Sequence, residues 1–373
     1  MDTSFQATLR NLNKIIERES KSTTYKFALL RGTIDIIRDN SPLIKKEGNS
    51  IQIPLGLLVE KWIVYYFPIF ESPFSLRQIH TNRKLAFEDL IISLVNLYKG
   101  QGGFKEFYID FLNKGIKKEG KKIMVDLVKT ISKTITEMPM KHLGSSISGE
   151  LYSIFSPNKN RRIYPTHISK SIDFVSGLGF YTIPDSYFQV FKEIGGFISG
   201  QNSIIFHWAQ FSANSKSEKV SIHQAIEPLL SATLIPRETG SARSILDNLK
   251  KSRNKIICVW SGEELEKYEV DHIIPYAFWN NNDLWNLLLS KPSINNNKRD
   301  KIATPEQIEN SKDNIISYWQ WYMKTEEDRF IPELKKKLIG NTSLDNWERK
   351  SIDKLKELTN YYIEERGYQF WQL

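Results

Sequence analysis

Asp271 and His272 stand side by side in the run Tyr268-Glu269-Val270-Asp271-His272-Ile273-Ile274-Pro275. Asn286 follows the histidine by 14 positions, Asn295 comes 9 positions later, and Asn295-Asn296-Asn297-Lys298 closes the series. An imidazole takes up a proton close to neutral pH, so His272 is a candidate general base. Carboxylate and amide oxygens are the hard donors that suit Mg²⁺, which keeps several waters and takes only one or two protein groups. Asp271 and Asn295 supply such oxygens. A base beside ligands for a hard cation is equipment for metal-assisted hydrolysis. Residues 269–272 read as a strand, in which neighbouring side chains point to opposite faces. Convergence of Asp271 and His272 on one group therefore requires a distorted strand end. The other five histidines (His80, His142, His167, His207, His223) lack comparable partners and read as structural.

Residues 268–304 resemble the HNH endonucleases, the ββα-metal or His-Me finger nucleases. The likeness lies in Asp271-His272, the apolar-apolar-Pro of Ile273-Ile274-Pro275, Asn286, and Asn295 beginning Asn-x-x-Lys, and it covers roughly residues 255–304. It implies phosphodiester hydrolysis at a site made of His272, Asp271, Asn286 and Asn295. His272 would be the base, Asp271 and Asn295 the ligands of Mg²⁺ (or Mn²⁺). Asn286 would bond across the connecting loop and hold the histidine ring, and Lys298 would contact phosphate. Many members of the family bind a structural zinc through Cys-x-x-Cys pairs. Here Cys258-Val259-Trp260-Ser261 lacks the second cysteine and no cysteine precedes Asn295. No structural zinc is expected, and Trp260, Trp279 and Trp285 are expected to supply the packing instead.

The elements that position this segment fall into an α+β plan: a mostly helical N-terminal domain, a ββα-metal domain, and C-terminal helices. Residues 1–145 read as amphipathic helices, with 54–70 apolar on nearly all sides and so central to a core. Residues 146–235 read as a mixed connecting region, with a hairpin at 151–164 and a polar linker at 212–218. The nuclease-like domain spans 236–305. Residues 306–373 read as helices packing on it. Thr304-Pro305-Glu306-Gln307 predicts an N-cap with a proline at the first helical position and a capping-box glutamine. Gly340 is the expected C-cap and Ser343 the next N-cap.

Composition narrows the function without naming it. In 373 residues, 40% are hydrophobic and 25% charged, which is ordinary for a globular chain of two or three domains. One cysteine excludes an internal disulfide framework and fits a reducing cytoplasm. The N-terminus lacks the basic start and apolar run of a signal peptide, and the best apolar stretch contains Glu71. No membrane association is expected. Lys and Arg total 52 against 43 Asp and Glu, an excess that favours a polyanionic partner. Arg243, Lys251 and Arg253 lie in a basic run before the first strand and are candidate contacts to a DNA backbone.

The resulting expectation is a cytoplasmic, metal-dependent DNA endonuclease, resembling prokaryotic restriction or anti-phage effectors in build. A homodimer or a defence-system protein is the expected further partner, because one HNH site cuts one strand. Two alternatives stand beside it, a non-catalytic nucleic-acid-binding scaffold and an RNA-cleaving toxin with the same chemistry.

Overall fold

A computed structural model describes residues 3–18, 22–81, 83–143, 153–158, 163–199, 204–213, 220–233, 237–253 and 255–373. The chain forms two compact units, Met1–Ile235 and Pro236–Leu373, each with its own apolar core. The architecture is α+β, mostly helical with small sheets.

In the first unit the helix Leu55–Glu71 is apolar on nearly every side, and Trp62, Ile63, Tyr66 and Phe67 are completely buried. Tyr25–Arg38, Glu88–Tyr98 and Gly120–Glu137 pack around it. Gly56 permits a close backbone approach: a Cβ there would lie 2.4 Å from Val175 Cα. A four-stranded antiparallel sheet joins distant segments, with β1 (Lys45–Glu47), β2 (Ser50–Pro54), β3 (Ser156–Pro157) and β4 (Phe180–Pro184) in the order β1-β2-β4-β3. Ile51 opposes Ile183 and Ile53 opposes Tyr181 across β2 and β4. These strands lie on either side of the boundary expected at residue 145, so residues 1–145 and 146–235 share one sheet and one core. The described part of the expected hairpin is β3, which pairs with β4 and not with a second arm of its own. Residues 151–152 and 159–162 of that hairpin lie outside the described residues, as do 214–218 of the expected linker. Ser212 belongs to the helix Ile204–Ala213.

The second unit is built around β5 (Glu269–His272) and β6 (Leu287–Ser290), an antiparallel pair followed by the helix Pro292–Lys298. β6 is buried at every position, consistent with its run of three leucines. β7 (Ile302–Ala303) pairs in parallel with β8 (Phe370–Trp371), which ties the far C-terminal segment to the end of this motif. The helices Pro305–Asn310, Lys312–Thr325, Glu327–Leu334 and Trp347–Asn360 complete the unit, and residues from Ala242 to Trp371 enter one core. Thr304 caps its helix, its Oγ1 accepting from Gln307 N at 3.0 Å. The capping box is not closed, because Thr304 N already donates to Trp371 O at 3.0 Å. Gln307 instead donates to Ser311 Oγ at 2.9 Å. Gly340 ends its helical run with φ 68° as expected. The next helix is capped by Asn346, and Ser343 Oγ accepts from Asp345 N at 3.0 Å within the turn before it. No described helix is long and apolar enough to cross a membrane.

Candidate active site

β5 stays in regular register through His272, which opposes Leu287. The pairing itself is undistorted, so the two side chains can converge only at the strand end, where the chain turns directly after the histidine. Alternation places Glu269 and Asp271 on one face of β5 and His272 on the other. The two central residues accordingly meet different neighbours.

On the first face Asp271 is buried, 3% exposed, with both oxygens engaged. Trp260 Nε1 donates to Oδ2 at 2.7 Å, and Lys298 Nζ lies 3.2 Å from Oδ1. Lys298 also donates to the backbone oxygen of His272 at 2.6 Å. It is completely buried, so it does not present its ammonium to a phosphate as the resemblance implied. It is the countercharge of Asp271 and pins the helix Pro292–Lys298 to β5. Burial pushes the Lys298 ammonium below its usual range, against the pull of the Asp271 carboxylate. Trp260 is more than a packing residue, since its indole N–H holds Asp271. Trp371 meets it edge-on at 5.3 Å and donates to Asn297 Oδ1 at 2.9 Å.

Asn295 lies one turn before Lys298 on the same helix, and its Nδ2 donates to Glu269 Oε2 at 2.5 Å. Glu269 thus joins the site, a residue that the motif spacing did not single out. The signal was available, because a residue two positions before Asp271 shares its strand face.

On the opposite face the imidazole of His272 is held at both nitrogens. Arg237 Nη2 lies 3.4 Å from Nδ1, and Asn282 Oδ1 lies 3.5 Å from Nε2. The Tyr276 ring centre is 5.5 Å away. Burial, then the Arg237 guanidinium, push the imidazole down to about 3, the Asn282 contact opposing them. The ring is neutral near pH 7, as a general base must be. Asn282 carries no sequence signal of its own, and Arg237 belongs by sequence to the basic stretch before β5, so that chain folding alone brings either to the ring.

Asn286 is completely buried and clamps the turn after the histidine. Its Oδ1 accepts from Ile274 N at 2.8 Å, and its Nδ2 donates to Ile274 O at 3.0 Å and Asn281 O at 3.3 Å. It bonds across the connecting loop as expected, but the ring itself is held by Arg237 and Asn282. The loop is fixed from the C-terminal helices as well. Leu284 N donates to Glu333 Oε2 at 2.7 Å, and Arg329 Nε donates to Glu333 Oε1 at 2.7 Å. Burial and the neighbouring Glu333 push Asp283 up to about 6.

The helix Gly240–Arg253 carries Arg243 and Lys251 exposed, while the Arg253 side chain lies outside the described residues. Trp279 and Trp285 are core aromatics, packed edge-on at 5.6 Å.

Among the described residues there is no cluster of three or more His, Cys, Asp and Glu side chains suited to a metal. The donors here are two carboxylates, Glu269 and Asp271, and the amide of Asn295. A sparse set of hard oxygens fits Mg²⁺, which retains most of its waters. The hydrogen bonds Asp271 accepts leave lone pairs on its carboxylate.

Residues 6–229 match the family model described as "Domain of unknown function (DUF8808)". Residues 258–304 match the model described as "HNH endonuclease", which spans β5, β6 and the helix that follows them. No curated protein and no solved structure matches the chain.

Proposed function

The chain belongs to the family described as "Domain of unknown function (DUF8808)" and carries an HNH endonuclease domain in its C-terminal part, and from these premises we propose that it is a metal-dependent DNA endonuclease. The observation that carries this reading is His272 itself. It is an imidazole held neutral by burial at the end of the strand that also bears Asp271, with Asn295 brought to that strand's acidic face.

In the proposed reaction His272 takes a proton from water. The water oxygen forms a new bond to phosphorus, and the bond from phosphorus to the leaving sugar oxygen breaks. Asp271 and Asn295 would hold Mg²⁺ or Mn²⁺, with Glu269 orienting Asn295. When bound, the cation supplies charge stabilisation on the phosphate and the leaving oxygen. Trp260 and Lys298 hold Asp271 in place, and Asn286 keeps the turn after His272 closed. Arg243, Lys251 and Arg253 would grip the phosphate backbone outside the site. By build, a nuclease unit that follows a larger helical one in the chain, we place the protein among prokaryotic restriction or anti-phage effectors. Duplex cleavage would then need a second copy or two successive nicks.

The test is cleavage of plasmid and single-stranded DNA, and of RNA, with Mg²⁺, Mn²⁺ or EDTA. Cutting by the wild type that needs metal and falls about 10²–10⁴-fold in His272→Ala supports the reading. Undiminished cutting by that variant sinks the assignment of the base, and cutting of RNA alone would transfer the chemistry to the other polymer. Arg243→Glu with Lys251→Glu should weaken DNA binding and flatten its salt dependence, by about 0.9 in log–log slope for each phosphate no longer neutralised.

A further inference from the structure

We propose that Asn282 is the positioning residue of the base, holding His272 in the tautomer protonated at Nε2, with the lone pair on Nδ1. This deepens the nuclease reading and rests on it for its catalytic consequence. The amide of Asn282 fixes the first half of the assignment. Glu238 N–H donates to Asn282 Oδ1 at 3.1 Å, and a backbone N–H can only donate, so the amide atom there is the oxygen. The same oxygen lies 3.5 Å from His272 Nε2 and has no proton to give. Nε2 must then carry one.

The other ring nitrogen gives the same answer independently. A guanidinium has donors and no acceptor, and Arg237 Nη2 lies 3.4 Å from Nδ1, which therefore bears the lone pair. The remaining neighbours leave this assignment intact. Lys298 reaches only the backbone oxygen of His272, and the Tyr276 ring centre stands 5.5 Å from that of the imidazole.

Asn282 is in turn held from outside the matched nuclease segment. Arg329 Nη2 donates to its backbone oxygen at 3.4 Å, and Arg329 Nη1 donates to Ser241 Oγ at 2.6 Å. Ser241 N donates to Glu238 Oε1 at 3.0 Å, closing a ring of contacts back to Asn282. The C-terminal helix bearing Arg329 is thereby part of the apparatus that orients the base. Asn286, for all its burial, takes no part in this.

Histidine-selective ¹⁵N labelling of the full chain at pH 8 reads the tautomer directly, the signal absent from His272→Ala assigning His272. The wild type and Asn282→Asp, which keeps an acceptor in place, should show a protonated Nε2 and a bare Nδ1. Asn282→Leu and Asn282→Ala, each made beside Arg237→Met so that the guanidinium no longer selects the tautomer, should show mixed tautomers. In cleavage of plasmid with Mg²⁺, kcat should fall about 10–100-fold in the single variants Asn282→Leu and Asn282→Ala at unchanged KM, and Asn282→Asp should recover most of it. A wild-type His272 protonated at Nδ1 overturns the proposal without need of any variant. So does a pure Nε2–H tautomer in the leucine and alanine variants made beside Arg237→Met. The expected tautomers in a wild type that cuts neither DNA nor RNA would count against the nuclease reading and uphold the orienting role of Asn282.

Discussion

In the Met1–Ile235 unit buried polar side chains close on one another at several separate places, whereas in the Pro236–Leu373 unit they converge on two consecutive residues. Thr24 bonds Tyr66 at 2.8 Å and Thr33 bonds Tyr181 at 2.9 Å. Arg31 donates to Leu229 O at 3.0 Å and lies over the Tyr65 ring at 4.2 Å. Each such contact satisfies a group that would otherwise be costly to bury, and the fullest cluster, Arg31, Arg38 and Tyr65 about Asp35, closes on a carboxylate that stays 18% exposed. In the second unit Trp260 and Lys298 aim at Asp271, Arg237 and Asn282 at His272, and Asn286 at the turn beside them. Scattered polar contacts stabilise a core. Polar groups focused on a carboxylate and an imidazole fix both in place, and burial keeps the imidazole neutral.

Three measurements sharpen or break this contrast. Lys298→Met should cost about 3–5 kcal/mol in chemical denaturation, because it leaves the Asp271 carboxylate buried and uncompensated. Arg31→Met in the other unit should cost less, about 1.5–3 kcal/mol for its charged hydrogen bond, since its partner Asp35 is 18% exposed and can hydrate. Equal losses would mean that the two units bury charge alike. Next in size, Gly56→Ala should lower the stability of the first unit by about 1–3 kcal/mol. Its Cβ would meet the backbone of Val175 at 2.4 Å, which cannot yield as a side chain can. DNA cleavage chemistry, if housed wholly in the second unit, should survive this change at temperatures where the variant is folded.

The last effect is one of pH, at most about 2 kcal/mol between pH 7 and pH 5. His272 has its folded pKa pushed down to about 3 from an ordinary 6.5. Between those values the unfolded chain binds the proton and the folded one does not. The neutral ring's contribution is thus fully present above pH 6.5 and is lost as pH falls below it. The loss should be at most about 1.4 kcal/mol per pH unit. Asp283, raised to about 6, changes stability in the opposite direction over part of the same range. The difference between wild type and His272→Ala removes that contribution. A difference that does not vary between pH 7 and pH 5 would show that the folded ring titrates normally, and the site would then lose its claim to a poised base.

Much of the site could be read from the chain because its parts are local. Asp271, His272, Asn286, Asn295 and Lys298 fall within one strand, one loop, one strand and one helix, so their spacing alone carried the resemblance. The role of Lys298 could not be read the same way. A lysine at the end of a short helix is as suited to a phosphate as to a buried carboxylate, and only its complete burial against Asp271 separates the two. The hairpin expected at 151–164 failed for a related reason. Its turn residues are local, but the partner of β3 is β4, over twenty residues further along the chain, and register is set by the buried face they share.

Periods and caps are properties of neighbouring residues. The central helix Leu55–Glu71, the Thr304 cap, the Gly340 stop and the Asp-His strand therefore follow from the chain's own order. Which groups meet across long separations follows from packing. Arg237 and Asn282 reach His272, Arg329 reaches Asn282, and Trp371 reaches Trp260 through contacts between segments 10 to 111 positions apart. No local pattern records such pairings, because burial of a shared core brings those atoms together.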